Sequence, residues 1–153
     1  NLSFYLNVRN KIKPHHGCFV NLGDACIASF SPERFFKIEK GVISSFPMKG
    51  TRPRSTDQNL DIKLREELKN SKKDRAEHIM IVDLLRNDLG KISKFGSVKV
   101  DSLFFVESFE TIHQMVSHVY GNILNDIKEK EIILALLITS IFVIGSLLTV
   151  DNT

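Results

Sequence analysis

The amino-acid sequence predicts an α/β fold, of the α+β kind, on three observations. Short apolar runs separated by turn residues fill residues 18–46, the mark of an antiparallel meander. Residues 72–89 carry apolar side chains at steps of three and four, as a helix with one buried stripe would. Residues 95–108 return to the two-residue alternation of a strand. With 153 residues, 42% of them hydrophobic and 25% charged, the chain has the composition of one packed domain, so these patterns describe a core and not a disordered segment.

In chain order, residues 4–8 are an apolar run expected as the first strand. A break at residues 11–17 follows. Its adjacent His15 and His16 point opposite ways on an extended chain and read as a solvated loop, not a metal site. A Gly23-Asp24 turn joins strands at 18–21 and 25–30, and a Lys40-Gly41 turn joins strands at 35–39 and 42–46. Cys18 and Cys26 lie on the first of these hairpins; their spacing admits a disulfide, and two buried reduced thiols are the preferred reading.

Residues 55–71 are expected as a polar helix, started by the capping oxygens of Ser55, Thr56 and Asp57 and carrying a thin stripe of Leu60, Leu64 and Leu68. The next helix, 72–89, is expected to bury Ile79, Val82, Leu85 and Leu89 and to stop at Gly90. Asp74 and Glu77, three apart beside His78, project from one side of its first turns. They offer oxygen ligands to a hard cation, or they simply complement the helix dipole. Beyond it, Val98 and Val100 face inward with Lys99 and Asp101 outward, and residues 103–106 form a short buried strand.

The charges argue against a polyanionic partner. Twenty-one basic and 18 acidic residues leave a net charge of only +3, and the two signs are interspersed, so no nucleic-acid stripe is expected. The first residue is Asn1 and no charged-then-apolar leader follows it, so the chain is expected to enter in mid-domain. Residues 132–150 carry no charge, a run whose length alone suits a membrane span.

The stretch KDRAEHIMIVDLLRNDLGKI closely resembles the signature helix of the chorismate-utilising enzymes. Two further passages resemble the same family in the same order: Ser31-Pro32-Glu33-Arg34-Phe35, similar to its SPERF motif, and Pro47 to Arg54, similar to PIKGTRPRG. GSVKVDSLFFVES and ETIHQMVSHV are similar to the family's GSVKVPELFVVE and TVHHLVSTV. The resemblance implies part of a two-sheet sandwich with outer helices. It implies a magnesium ion (Mg2+) held by Glu77, with Asp74 supporting it through water, and Glu33 as general acid toward the departing 4-hydroxyl of chorismate. Lys49 stands where the aminodeoxychorismate synthase branch has its lysine nucleophile and where anthranilate and isochorismate synthases typically have alanine. Gly50 and Thr51 would then lie against substrate, with Lys49 and Arg52 offering charge to its carboxylates. His113 matches the first of the paired histidines, and a core position and a place in the site both stay open for it. Gln114 stands where the second would be, so that histidine's role is not carried over.

The resemblance further implies amination of chorismate to 4-amino-4-deoxychorismate, on the way to 4-aminobenzoate and folate. Ammonia would come from a glutamine amidotransferase subunit, in the cytoplasm. It covers residues 1–142 as a partial chorismate-binding domain and leaves 143–153 as a divergent apolar tail, which a shifted reading frame explains better than a membrane helix. The family's glycine-rich passage and its second magnesium-binding Glu do not appear, so a low or absent activity of this stretch alone is the expectation. Alternatives are an anthranilate synthase component I piece, a non-catalytic remnant, or a membrane-tethered module.

Overall fold

The computed structural model describes residues 1–128 and Ile132, in two units: Asn1–Phe35, and the chain from Phe36 onward. The first unit holds helix α1 (Leu2–Ile12) and the strands β1 (His16–Asn21) and β2 (Cys26–Ser31). Residues 4–8, expected as a strand, are helical. A short apolar run does not fix its own period, and the caps decide it here. The Asn1 side chain accepts from the Ser3 N–H at 2.8 Å, and Lys13 ends the helix at φ 48 with its N–H on the Arg9 carbonyl. Tyr5 is the buried residue of this helix, its ring 5.0 Å from that of Phe30 and 5.6 Å from that of Phe19.

β1 and β2 pair antiparallel from His16↔Ser31 to Asn21↔Cys26, closed by the Leu22 N–H on the Ala25 carbonyl. The strand therefore begins two residues earlier than the sequence suggests, and only His15 stays in the break. Cys18 faces Ser29 and Cys26 faces Asn21 across the hairpin. Both thiols are reduced and exposed, against the expectation that they are buried, because the two-stranded ribbon has too little apolar surface to enclose them.

The second unit contains β3 (Lys37–Glu39), β4 (Val42–Ser45), β5 (Met48–Pro53), helices α2 (Gln58–Asn70) and α3 (Lys72–Ile92), β6 (Lys99–Ser108) and β7 (Ile112–Asn122). β3 and β4 are joined by Lys40-Gly41, both at positive φ, the geometry of a two-residue I′ hairpin turn. All strand pairs are antiparallel. β7 is the axis of the sheet. β6 runs along almost its whole length, so β4, pairing with residues 119–122, and β5, pairing with 112–116, share its other edge.

β7 was not read as a strand from the sequence, yet its alternation organises the core. Met115 packs with Leu68 and Val106, and Val119 packs with Ile43, Val82, Leu89 and Ile92. His113 and Ser117 occupy the same face and bond to α2 and α3 respectively. On the opposite face Phe46, His118 and Tyr120 stack at centroid distances of 4.4 and 5.0 Å.

The helices follow their predicted spans with informative shifts. Asp57 is the N-cap of α2, accepting from the Asn59 and Leu60 N–H groups; of its leucine stripe only Leu68 is buried. α3 does not stop at Gly90 but runs to Ile92, whose side chain is buried. Gly90 faces open space, so its missing side chain removes no packing. The buried line of α3 is His78, Val82, Leu89 and Ile92 with Asp88, whereas Ile79 is 41% exposed and helps line an open cleft of about 420 Å³ with Val98, Val100 and Leu103. The stripe is rotated toward His78 because that residue has a bonding partner on β7.

No helix among the described residues is long and apolar enough to cross a membrane. Apart from Ile132, the uncharged run 132–150 lies outside the described residues, as does the boundary between 1–142 and 143–153. The fully buried Leu89 and the exposed Ile79 provide a direct test of which stripe faces the core. Leu89→Ala is expected to lose about 2–5 kcal/mol in urea unfolding and Ile79→Ala less than about 1 kcal/mol; equal losses would contradict the rotated stripe.

Candidate active site

The candidate site forms where the start of β5 meets the first turns of α3. The β5–β7 register shifts between Met48 and Thr51, so Lys49 and Gly50 form an irregular step in the strand. Gly50 sits at φ +88, and a Cβ there would lie 3.0 Å from the Asp74 Cβ and 3.1 Å from Leu68 Cδ1. The glycine is needed for the close approach of the chain's own helices, where the sequence suggested approach by a ligand.

Across this step the Lys49 Nζ lies 3.5 Å from Glu77 Oε2, with side chains 43% and 40% exposed, and Lys73 approaches Glu77 Oε1 at 3.9 Å. Lys49 and Glu77, distant in sequence, are thus brought together. Asp74 goes elsewhere. Its Oδ2 accepts from Arg52 Nη2 at 3.0 Å, while Arg52 Nε donates to Glu67 Oε1 at 2.9 Å. Arg52, expected to present charge to a dicarboxylate, is instead held by two carboxylates of α2 and α3. Hydrogen bonding from Ser71 first and Arg52 second keeps the Asp74 carboxyl below its ordinary range, against the cost of its partial burial.

Thr51 is exposed on β5 opposite Gln114. His113 is buried: Nε2 lies 3.0 Å from Asp61 Oδ1 and Nδ1 lies 2.8 Å from Ser108 Oγ. Asp61 also takes a bidentate pair from Arg54 Nε and Nη2, both at 2.9 Å, and the Ser55 N–H at 2.9 Å. These donors, Arg54 foremost, hold the Asp61 carboxyl far below the usual carboxylate range. Glu33 lies in the first unit, exposed, in a turn where Ser31 Oγ accepts from its N–H at 3.1 Å and donates to its carbonyl at 3.0 Å.

Sequence reasoning did not find Ser117, His78 or Asp61 as anchors. The usable signal was the alternation of 113, 115, 117 and 119, which puts two polar residues on an otherwise apolar strand face and so demands buried partners.

Glu77 suits magnesium as one hard oxygen donor on an accessible helix face, whereas Asp74 is committed to Arg52. Among the described residues no three His, Cys, Asp or Glu side chains gather as a metal cluster. Glu77 therefore fits as a single contributor to such a site.

The sequence profile described as chorismate binding enzyme matches residues 1–140. The chain belongs to this chorismate-binding enzyme family. Aminodeoxychorismate synthase component 1 of Salmonella typhimurium is 50% identical over 101 residues, covering 66% of this chain and 22% of its own length. Anthranilate synthase component 1 of Saccharolobus solfataricus is 40% identical over 122 residues, 80% of this chain and 29% of its own. The crystal structure of anthranilate synthase component I from Streptococcus pneumoniae TIGR4 superposes with a TM-score of 0.73 at 30% identity, covering 88% of this chain and 29% of that one. The chain thus spans between 22% and 29% of the length of these relatives. The family fold agrees with the mixed α and antiparallel β architecture described above.

Two outcomes follow for this chain. Gly50→Ala is expected to cost about 1–3 kcal/mol in urea unfolding, since it adds strain at positive φ to a contact with Asp74; a neutral change would mean that β5 does not press on α3. For Asp61, a lowered folded pKa gives stability that is present above the unfolded value of about 3.9 and lost as pH falls through the folded one. The stability gap between wild type and Asp61→Asn should therefore be widest near neutrality and narrow from about pH 4 downward. A gap constant with pH would contradict the network.

Proposed function

We propose that this chain carries part of the active site of an aminodeoxychorismate synthase component I, with Lys49 as nucleophile, Glu33 as general acid and Glu77 as a metal-binding carboxylate. The observation that carries the reading is the Lys49–Glu77 pair at 3.5 Å on an accessible face of the β5–α3 junction. Lysine at this position separates the amination branch from relatives in which alanine stands there. The 50% identity to the Salmonella typhimurium relative supports the same branch.

In the proposed reaction the Lys49 amine attacks C2 of chorismate, both conjugated ring double bonds shift one position toward C4, and the C4–O bond breaks. Glu33 delivers a proton to the leaving hydroxyl, which departs as water. Ammonia, delivered by a glutamine amidotransferase partner, then attacks C4. The two double bonds shift back and the C2–N bond breaks as the proton given up by ammonia passes to the departing Lys49 nitrogen, giving 4-amino-4-deoxychorismate and the free amine. Bound magnesium supplies positive charge to the substrate carboxylate. Glu77 would be one of its ligands, and in the absence of substrate it holds Lys49 in place. Thr51 and Gly50 line the approach to Lys49, and the proposed setting is the cytoplasm.

Intact-mass measurement tests the first half-reaction. With chorismate and magnesium and no ammonia, the chain should gain the mass of chorismate less one water, on a peptide containing Lys49. Lys49→Ala should show no adduct, and Glu33→Gln a yield lower by about 10²-fold or more. An adduct that survives Lys49→Ala, or one carried on a peptide without Lys49, would overturn the assignment.

A further inference from the structure

The Lys49–Glu77 pair is flanked by a buried polar network that the proposed reaction leaves without a role. Ser117 sits fully buried on the helix-facing side of β7. Its Oγ lies 2.7 Å from His78 Nε2, next in sequence to Glu77, and accepts the Phe104 N–H at 3.1 Å. Its own N–H donates at 3.2 Å to the carbonyl of Pro47, two residues before Lys49. One serine therefore joins α3, the entry to β5 and the irregular part of β6.

That part of β6 is strained. Ser102 and Phe104 have φ of 54 and 62, and the β6–β7 register shifts between Asp101 and Phe105. A bulky residue in the left-handed region persists only where its surroundings hold it. Here the Ser117 Oγ holds the Phe104 N–H, the Phe104 ring lies 5.8 Å from that of His78, and the Arg75 guanidinium sits 4.5 Å above it.

Counting protons fixes the direction of the chain. Ser117 Oγ is an acceptor toward Phe104, so its hydroxyl proton is free to point at His78 Nε2. Nδ1 is buried and has no hydrogen-bond partner among the described residues. It is without a partner in either arrangement, whereas the opposite one, with Nε2 as donor, would also leave the buried Ser117 hydroxyl proton without an acceptor.

We propose that Ser117 is a positioning residue: it fixes the His78 ring on α3 as the Nδ1–H tautomer while its N–H holds the Pro47 carbonyl two residues before Lys49, and so sets the geometry of the Lys49–Glu77 pair. The functional weight of this rests on the reading of that pair as the reactive one, but its test does not need turnover. In the folded wild type, 15N-edited imidazole spectra should show His78 protonated on Nδ1. Ser117→Ala should abolish that single-tautomer signature. It should also change the acylation rate of Lys49, relative to the exposed Lys63, by about threefold in the direction of Glu77→Gln, the scale set by one exposed ion pair. Ser117→Thr, which keeps the hydroxyl, should retain both properties.

A wild-type His78 protonated on Nε2 overturns the proposal. So does a folded Ser117→Ala chain whose Lys49 rate is unchanged, since a purely structural serine would lower stability and leave the amine alone. If Ser117→Ala fails to fold, the wild-type tautomer decides, and Ser117→Cys repeats the rate measurement. Failure of the functional reading has a different signature: no Lys49 adduct with chorismate while these couplings remain intact.

Discussion

Strand β7 is hydrogen-bonded along both edges, to β6 on one and to β4 and β5 on the other, and that pairing fixes the facing of every side chain from 112 to 122. A shift of one residue would exchange Met115 and Val119 for Gln114 and His118 on the helix side. The apolar members of the inward face give α2 and α3 their packing surface. The polar members, His113 and Ser117, are fully desolvated and so require partners, found in Asp61 on α2 and His78 on α3. Each helix is thus seated by apolar contact and fixed in rotation by one buried hydrogen bond. The same requirement turns α3 so that His78, and not Ile79, enters the core.

The proposed site inherits this arrangement. Because α3 is rotated by the His78 anchor, Glu77 emerges at the edge of the interface, where Lys49 reaches it from the irregular step of β5. Gly50 permits the two elements to approach to contact, and the Arg52 bridge to Asp74 and Glu67 holds β5 to both helices. An ion pair as exposed as Lys49–Glu77 contributes little stability. It can be exchanged for contacts with substrate at small cost, which suits a pair at the mouth of a site. The more buried Arg52–Asp74 bridge is suited to holding the frame.

Much of this was legible in the sequence where local chemistry decides it. The Gly23-Asp24 and Lys40-Gly41 turns placed both hairpins, the Ser55-Thr56-Asp57 cluster marked the start of α2, and the ordered motifs around Glu33, Lys49 and Glu77 identified the family. What stayed illegible depends on partners distant in the chain. The run at residues 4–8 carries no period of its own, and the capping by Asn1 and Lys13 made it a helix. Gly90 looked like a stop, yet the burial of Ile92 carries the helix past it. Gly50 and Arg52 were read as facing a ligand, whereas in the structure Gly50 packs against Asp74 and Leu68 and Arg52 bonds Glu67 and Asp74, because a sequence does not say whether a ligand or another helix supplies the partner. The role of β7 was missed because its mixture of histidines, a serine and hydrophobics hides a two-residue period that only the partners on α2 and α3 make sense of.

The proposed function makes the β5–α3 junction a chorismate-binding surface built around Lys49 and Glu77. Chorismate titration of the 15N-labelled chain in the presence of magnesium tests it most directly, because it reads binding residue by residue without requiring turnover. Saturable shifts are expected on the amides of Lys49, Gly50, Thr51 and Glu77, attenuated by Glu77→Gln. Shifts centred instead on the cleft lined by Ile79 and Leu103, or no shift at the junction at saturating ligand, would contradict it.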